Sequence, residues 1–164
     1  MLFAVLMGGK HPKAKIEVHD VVFAVADRLD QTYDQLRASW FGSPHSAHID
    51  AWMEVEGVDG YRIEWSSEKP APDEQRLYFL NFGGYEDGIF GEAHRYMFVV
   101  ASDAPAAKKI GKKRLREAWK KLHTDALLNV DDCIPVTRLA GQHLRLAPGL
   151  HKEIFAMSDY IELE

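Results

Sequence analysis

The chain has 164 residues, of which 46% are hydrophobic and 27% charged, and it carries a formal net charge of −5. These values are typical of a folded protein with a sizeable core, and they argue against extended disorder. A single cysteine, Cys133, excludes an intramolecular disulfide and a cysteine-based zinc site built within one chain. Because so low a cysteine content suits a reducing compartment, we expect a cytoplasmic protein.

The amino-terminal segment MLFAVLMGG is apolar, but it is shorter than a signal peptide and lacks the basic residues that precede a signal-peptide core. We therefore predict that it forms the first β-strand and ends at Gly8 and Gly9, a pair that suits a turn or a bulge. No stretch of the sequence reaches the roughly 18 apolar residues that a membrane-spanning helix needs, so no membrane association is expected.

The next segments predict a strand, a helix and a hairpin in chain order. VVFAVA, which ends at residue 26, is rich in β-branched residues and predicts the second strand. Residues 27–40 carry apolar side chains at helical spacing and predict an amphipathic helix. AWMEV and YRIEW then predict two strands that are joined by a turn at Asp59 and Gly60.

The second half of the chain repeats the first at an offset of 75 residues. Residues 77–101 match residues 2–26 at eight identical positions out of 25. The repeated glycine and polar positions are Gly8 and Gly83, Gly9 and Gly84, Glu17 and Glu92, and His19 and His94. The segment HTDA at 123–126 aligns with HIDA at 48–51 at the same offset. A second helix is predicted from Asp103, and a connection that contains Ile134 and Pro135 replaces the hairpin turn.

These elements predict an α+β fold made by tandem duplication of a β-β-α-β-β unit. We expect the two units to be related by a pseudo-twofold axis, with the helices packed on the sheets. The predicted boundaries are residues 1–66 for the first repeat, 67–76 for a linker and 77–147 for the second repeat. Residues 148–164 form a C-terminal extension that is expected to pack on the body.

The repeated polar residues are predicted to meet at one edge of each sheet. Two strands joined through a helix normally run parallel, so the second and third strands begin at the same edge, where the first strand ends. This places the candidate ligand-binding residues of the first repeat together: Gly8, Gly9, Glu17, His19, His48 and Asp50. The corresponding candidates in the second repeat are Gly83, Gly84, Glu92, His94, His123 and Asp125.

Two histidines and two carboxylates in one place suit several roles. They can bind a borderline divalent metal such as zinc, or they can form an acid–base set in which a carboxylate orients an imidazole. The simpler hypothesis is structural, with each carboxylate pairing with its neighbouring histidine at the strand end. We expect no cofactor on this simpler hypothesis, and a divalent metal on the other.

No sequence motif names a reaction. The chain contains no G-x-G-x-x-G, Walker A, G-x-S-x-G or H-E-x-x-H motif, so whether it is an enzyme is left open. We favour a non-enzymatic binding or interaction protein. The alternative is a small-molecule or metal-dependent enzyme that uses the repeated Glu-x-His and His-x-Asp pairs.

The predicted second helix is strongly basic. Residues 103–121 contain eight basic and two acidic residues, for a net charge of +6, and the rest of the chain then sums to −11. The basic side chains on the face opposite the apolar stripe are Lys109, Lys112, Lys113, Arg116 and Lys120. This pattern favours a solvated face. The alternatives are a polyanion site, for which the acidic remainder makes nucleic acid a poor partner, and a homodimer in which the helix meets that acidic remainder.

Several segments together resemble a known family. LFAVLMGG, EVHDVVFAVAD, HIDAWMEVEGVDGYRI and the later LYFLNFGGY and EAHRYMFVVA are similar to the small bacterial family called domain of unknown function 1543, in which a short domain occurs once or twice. The resemblance covers the chain up to about residue 148. It implies a tandem architecture and a bacterial origin, but no substrate, mechanism or functional residues. The departures lie in the second repeat, where Leu127 aligns with Trp52 and the Asp59–Gly60 turn is absent.

Overall fold

A computed structural model describes residues 1–85, 87–119 and 129–163. Over these residues the protein is mostly β-structure with two α-helices, which confirms the predicted α+β class. The strands are β1 (Leu2–Gly9), β2 (Val18–Val25), β3 (His48–Val55), β4 (Gly57–Val58), β5 (Tyr61–Ser66), β6 (Arg76–Gly84), β7 (Ala93–Ala101), β8 (Asn129–Val136), β9 (Arg138–Leu139), β10 (Gln142–Pro148) and β11 (Phe155–Glu162). The helices are α1 (Tyr33–Ser39) and α2 (Ala104–Trp119).

The chain forms two compact units. The first consists of Met1–Ile63, Leu139–Gln142 and Gly149–Glu164, and the second of Glu64–Arg138 and His143–Pro148. Among the described residues, neither helix is long and apolar enough to cross a membrane.

The sheet of the first unit has the strand order β11-β3-β1-β2. β1 pairs antiparallel with both β2 and β3, so β2 and β3 run parallel with β1 between them. The chain passes through α1 on its way from β2 to β3. Both strands therefore begin at the edge where β1 ends, as the crossover argument predicts. The C-terminal strand β11 pairs antiparallel with β3.

One face of this sheet forms the core of the first unit. Phe3, Val5 and Met7 alternate along β1, are fully buried and pack with Leu36 of α1. The predicted helical stripe therefore lies on the sheet, although the α-helix itself begins at Tyr33, after a 3₁₀ turn. β1 is buried on its other face as well, because Leu2 and Ala4 are also shielded from solvent.

The Gly-Gly pairs lie inside strands, not in turns as predicted. Gly8 lies opposite His19 on one side and His48 on the other, and β1 extends through Gly9. Gly83 lies in the same way between His94 and Asn129. The strands continue through these glycines because Gly8 and Gly83 are paired with both neighbouring strands, and Gly9 and Gly84 with one. The residues with positive φ are elsewhere, so freedom of the backbone is not what calls for glycine here.

The second unit repeats the three-stranded core with the order β7-β6-β8. Its helix begins after Asp103, as predicted, and the side chain of Asp103 accepts a hydrogen bond from the backbone N–H of Ala106 at 2.8 Å and so acts as an N-cap. Ala107 and Leu115 of α2 are buried in the core of this unit, together with Leu80 and other apolar residues of the sheet.

The register of β8 corrects the repeat alignment for the third strand. Asn129, not His123, takes the position opposite Gly83 that His48 takes opposite Gly8. Six additional residues precede β8, so the true offset is 81, and Cys133 corresponds to Trp52. Ile134 and Pro135 lie within β8. His123 and Asp125 lie outside the described residues.

The second repeat also has a hairpin turn, at Ala140 and Gly141, so the prediction that this turn is absent there is wrong. Ala140 and Gly141 have φ values of 48° and 81°, close to the 56° and 80° of Asp59 and Gly60. Paired positive φ values of this kind are those of a tight two-residue hairpin turn. β4 and β5, which flank the first of these turns, pair antiparallel.

Candidate metal centre

Four polar side chains meet above Gly8 in the first unit. Glu17 immediately precedes β2 and His19 lies on it, while His48 and Asp50 lie on β3. Residues that lie directly opposite each other in an antiparallel pair project from the same face, so His19 and His48 flank Gly8 on one face. The structure thus brings together Gly8, Glu17, His19, His48 and Asp50, and Gly9 follows in the strand.

A β-bulge positions Asp50. Leu6 pairs with Ala51 and Met7 with Ile49, so Asp50 is an extra residue with no partner on β1. β11 is irregular at the same point, because Ser158 pairs with Ala51 and Ile161 with Ile49. Bulges commonly direct side chains into functional sites. Here Asp50 is directed toward the two histidines.

The four side chains form a ring in which carboxylates and imidazoles alternate. His19 Nε2 lies 3.2 Å from Glu17 Oε1 and 3.3 Å from Asp50 Oδ2. His48 Nε2 lies 3.5 Å from the same oxygen of Glu17 and 3.4 Å from Asp50 Oδ1. A zinc ion bound tetrahedrally at its usual distances separates neighbouring ligand atoms by about 3.3 Å. The sides of the ring therefore match the spacing of a metal-ion ligand set.

The hydrogen bonding of His48 leaves its inner nitrogen available. Nδ1 lies 3.0 Å from the carbonyl oxygen of Ser46, which can only accept, so we assign the proton to Nδ1. Nε2 then presents its lone pair to the carboxylates. His48 is buried, and within the described chain neither its Nε2 nor Asp50 Oδ2 has a hydrogen-bond partner. A backbone carbonyl that fixes a histidine tautomer in this way is common behind metal ligands.

Gly8 leaves the middle of the ring free of protein atoms. A Cβ placed on Gly8 would lie 2.5 Å from His48 Nε2 and 2.6 Å from Asp50 Oδ2, far inside contact distance. The same Cβ would lie 3.1 Å from Cδ2 of His19. The space above Gly8 is therefore the space that the ligand atoms surround, and any other amino acid would fill it.

The donor atoms favour a borderline divalent cation. The ligand atoms of Glu17, His48 and Asp50 lie within 4.8 Å of one another, and this is the compact histidine–carboxylate group found among the described residues. Imidazole nitrogen suits zinc, cobalt or nickel better than magnesium or calcium, and two carboxylates balance the charge of a dication.

The site is deep on one side and open on the other. The His48 side chain is 5% exposed and that of Asp50 27%, whereas Glu17 and His19 are 46% and 47% exposed. Tyr160 of β11 packs on His48, with ring centroids 4.6 Å apart and planes tilted by 37°. Partial desolvation raises the pKa of the Tyr160 phenol, and the nearby carboxylates, which include Glu17 and Asp50, raise it further.

Sequence reasoning missed Ser46 and Tyr160. Ser46 acts through its carbonyl, which any residue possesses, and Tyr160 lies more than a hundred residues from the other members in the chain. Tyr160 also borders a neighbouring cavity of about 510 Å³, whose lining includes His45, Ser46 and Glu162. The apolar pattern of the C-terminal segment predicted packing, but it gave no signal for this role.

The second unit keeps part of the arrangement. A Cβ on Gly83 would meet the carboxylates of Glu92 and Asp131, so these residues stand where Glu17 and Asp50 stand in the first unit. The buried histidine is replaced by Asn129, whose side chain accepts a hydrogen bond from the next backbone N–H. His94 instead contacts the side-chain oxygen of Asn81, at 3.1 Å. Gly84 lies in β6, and the predicted partners His123 and Asp125 lie outside the described residues.

The basic helix α2 has the solvated face that the sequence favoured. Ala107 and Leu115 are buried beneath it. The exposed basic residues on its outer side are Lys108, Lys109, Lys112, Lys113 and Arg116, while Lys120 lies outside the described residues. The polyanion and homodimer hypotheses for this helix stay predictions.

The fold and the site define the chain as a duplicated α+β protein in which a glycine of each central strand lies between polar side chains of its neighbours. The chain belongs to the family described as Domain of Unknown Function (DUF1543), whose model matches residues 14–65 and 90–137. This confirms the family resemblance and the two copies that the sequence indicated.

A solved structure has the same fold over almost the full length. The crystal structure of a protein Il1583 from Idiomarina loihiensis is 33% identical in sequence, and the match has a TM-score of 0.73. It covers 99% of this chain and 97% of the other. No curated protein matches the chain significantly.

Proposed function

We propose that this protein binds a divalent transition-metal ion in its first unit, through Glu17, His19, His48 and Asp50. The observation that carries the proposal is the inner nitrogen of His48, which is buried, has no hydrogen-bond partner among the described residues and faces two carboxylates. A lone pair that faces carboxylate oxygens without a proton or cation between them is repelled by them. A bound dication turns this repulsion into attraction.

The geometry of Gly8 supports the same proposal. A purely structural set of histidine–carboxylate pairs has no need of a free volume in its middle. The structure instead has a glycine at a strand position where no positive φ requires one. The volume that its missing side chain leaves is bounded by His48 Nε2 and Asp50 Oδ2, two atoms suited to coordinate a cation.

The hypothesis of structural histidine–carboxylate pairs requires a different protonation state of His48. Its Nδ1 already donates to Ser46, so a hydrogen bond from Nε2 to Glu17 or Asp50 requires a second proton and a charged ring. Burying that charge is favourable only if the carboxylates compensate for its lost hydration. The two hypotheses therefore differ in what lies between the ligand atoms, either protons or a metal ion.

Metal binding is the step that the two predicted functions have in common. A binding protein and a metal-dependent enzyme would both use this centre, and we propose the non-enzymatic role as the simpler one. The strand order β2-β1-β3 in one unit and β7-β6-β8 in the other supports a duplicated β-β-α-β-β unit. The bacterial origin and the cytoplasmic location remain part of the proposal, and the single cysteine supports the latter.

Titration of the chelator-treated protein with zinc tests the proposal. We expect one zinc ion per chain, bound with a Kd of about 1 μM or tighter, and a higher melting temperature in its presence. Magnesium is the comparison ion, because it prefers a shell of six oxygens and should bind far more weakly. Calorimetry gives the stoichiometry and affinity, and thermal unfolding gives an independent readout. Absence of both heat and thermal shift with zinc would disprove the metal site.

Asn129→His is expected to create a second centre. It places an imidazole at the position equivalent to His48, beside the carboxylates of Glu92 and Asp131 and next to Gly83. The stoichiometry of zinc binding should rise from one to two ions per chain. Asn129→Gln is the control, because it adds length without a metal-binding nitrogen. A folded Asn129→His protein that still binds a single ion would show that the two units do not have equivalent sites.

A further inference from the structure

We infer that the metal centre keeps one coordination position open to solvent beside Tyr160, and that it takes there a small oxygen-donor ligand that is uncharged or singly charged. This inference rests on the proposed metal site. It extends that proposal from the ion itself to the class of molecule that the ion would bind.

The exposure of the four ligands indicates that one side of the ion is accessible to solvent. Structural zinc sites are closed by four buried protein ligands, whereas sites that bind further ligands keep one side accessible. Here His48 and Asp50 form the floor, while Glu17 and His19 remain about half exposed, at 46% and 47%. Because Glu17 and His19 are exposed, an ion held by the four ligands faces solvent on that side and can take a fifth ligand there, a coordination number that zinc also adopts.

Tyr160 is positioned by a specific irregularity of β11. Ser158 and Ile161 pair with Ala51 and Ile49, so two residues of β11 lie opposite the single bulged residue Asp50. Tyr160 is one of these two, and its ring packs on the imidazole of His48. A matched pair of bulges places an aromatic side chain directly beside the ligand set. The three-stranded core of the second unit, β7-β6-β8, has no strand among the described residues at the position of β11.

The phenol of Tyr160 suits an oxygen ligand. It is 61% exposed, and among the described residues it has no hydrogen-bond partner. A protonated phenol donates one hydrogen bond, and oxygen ligands of a metal ion carry lone pairs that can accept it. In this proposal the phenol donates to the oxygen ligand on the open side of the ion, and that ligand is water when no other molecule is bound.

The charges around the site limit what this ligand can be. Glu17 and Asp50 already neutralise a dication, and Glu162 lies at the same end of β11 as Tyr160. A further dianion would meet net repulsion from these carboxylates. We therefore expect the site to favour carbonyl, hydroxyl, hydroxamate or carboxylate oxygens over the phosphate dianion.

Cobalt(II) provides the test, because its visible absorption reports the ligands bound to it. The full-length protein is loaded with one equivalent of cobalt and then titrated separately with acetohydroxamate and with inorganic phosphate. We expect a saturable spectral change with acetohydroxamate and at least about tenfold weaker binding of phosphate. Tyr160→Phe keeps the ring on His48 but removes the donor. It should bind cobalt as the parent does, and acetohydroxamate about tenfold more weakly.

The controls separate this inference from the metal site itself. Tyr61→Phe, which changes a tyrosine on another strand, should behave like the parent protein. Cobalt binding without any response to acetohydroxamate would overturn the inference and leave the metal site standing. An equal response to acetohydroxamate and phosphate, or an unchanged affinity in Tyr160→Phe, would overturn the ligand class or the role of Tyr160. If cobalt is not bound at all, the metal site fails as well.

Discussion

Replacing Gly8 with alanine is expected to abolish metal binding while the fold is retained. The new Cβ would lie 2.5 Å from His48 Nε2 and 2.6 Å from Asp50 Oδ2, so it occupies the space that the ion needs. The φ angle of Gly8 is not positive, so alanine imposes no strain on the backbone there. Zinc calorimetry should detect no binding, and zinc should no longer raise the melting temperature.

Gly83→Ala is the matched control for this substitution. It makes the same change at the equivalent position of the second unit, next to the carboxylates of Glu92 and Asp131. Both variants crowd polar side chains at the end of a central strand, so both are expected to lower the stability of the metal-free protein. Gly83→Ala should nevertheless bind zinc as the parent protein does. Equal loss of zinc binding in both variants would show that instability, and not blockage of the site, is responsible.

Replacing His48 with asparagine is expected to weaken zinc binding by at least about 100-fold. Removal of a residue that only orients a ligand already costs about 10- to 100-fold in affinity, and His48 is proposed as a direct ligand. Asparagine suits this strand position, because Asn129 occupies its equivalent opposite Gly83. The variant should therefore fold. Competition with a coloured zinc chelator measures the zinc affinity of the parent protein and of the variant.

His45→Asn provides the control for the loss of a histidine. His45 lies three residues earlier and lines the neighbouring cavity, but it contributes no atom to the ring of ligands. Its replacement should leave zinc affinity unchanged. If His48→Asn binds zinc as tightly as the parent while its circular dichroism is native, His48 is not a ligand and the proposed centre is wrong.

The sequence was sufficient to predict which polar side chains of the first repeat lie together. The repeat located the polar residues, and the parallel crossover brought the starts of β2 and β3 to the end of β1. The role of Gly8 was not predicted correctly, because glycine pairs are more common in turns than in the middle of a three-stranded ladder. The close approach of His48 and Asp50 to Gly8 became visible only when the strands on both sides were known.

The third strand of the second repeat shows why short identities do not determine register. HTDA matches HIDA at three of four positions, yet β8 begins six residues later than that match requires. Strand register is set by burial of an alternating apolar face and by pairing with β6, and neither depends on a local four-residue match. The bulges at Asp50 and Asp131 could not be predicted either, since both arise from how neighbouring strands pair.

The ladders around Gly8 have a consequence for how an ion would come and go. His19, His48 and Asp50 project from strands whose backbones are held by pairing with β1, so the ligands are arranged before any ion arrives. Loading the centre needs no refolding of the backbone, in contrast to a zinc finger, whose chain folds around its metal. A chelator should therefore leave an intact scaffold ready to be refilled, and the protein could cycle between loaded and unloaded forms as free metal rises and falls.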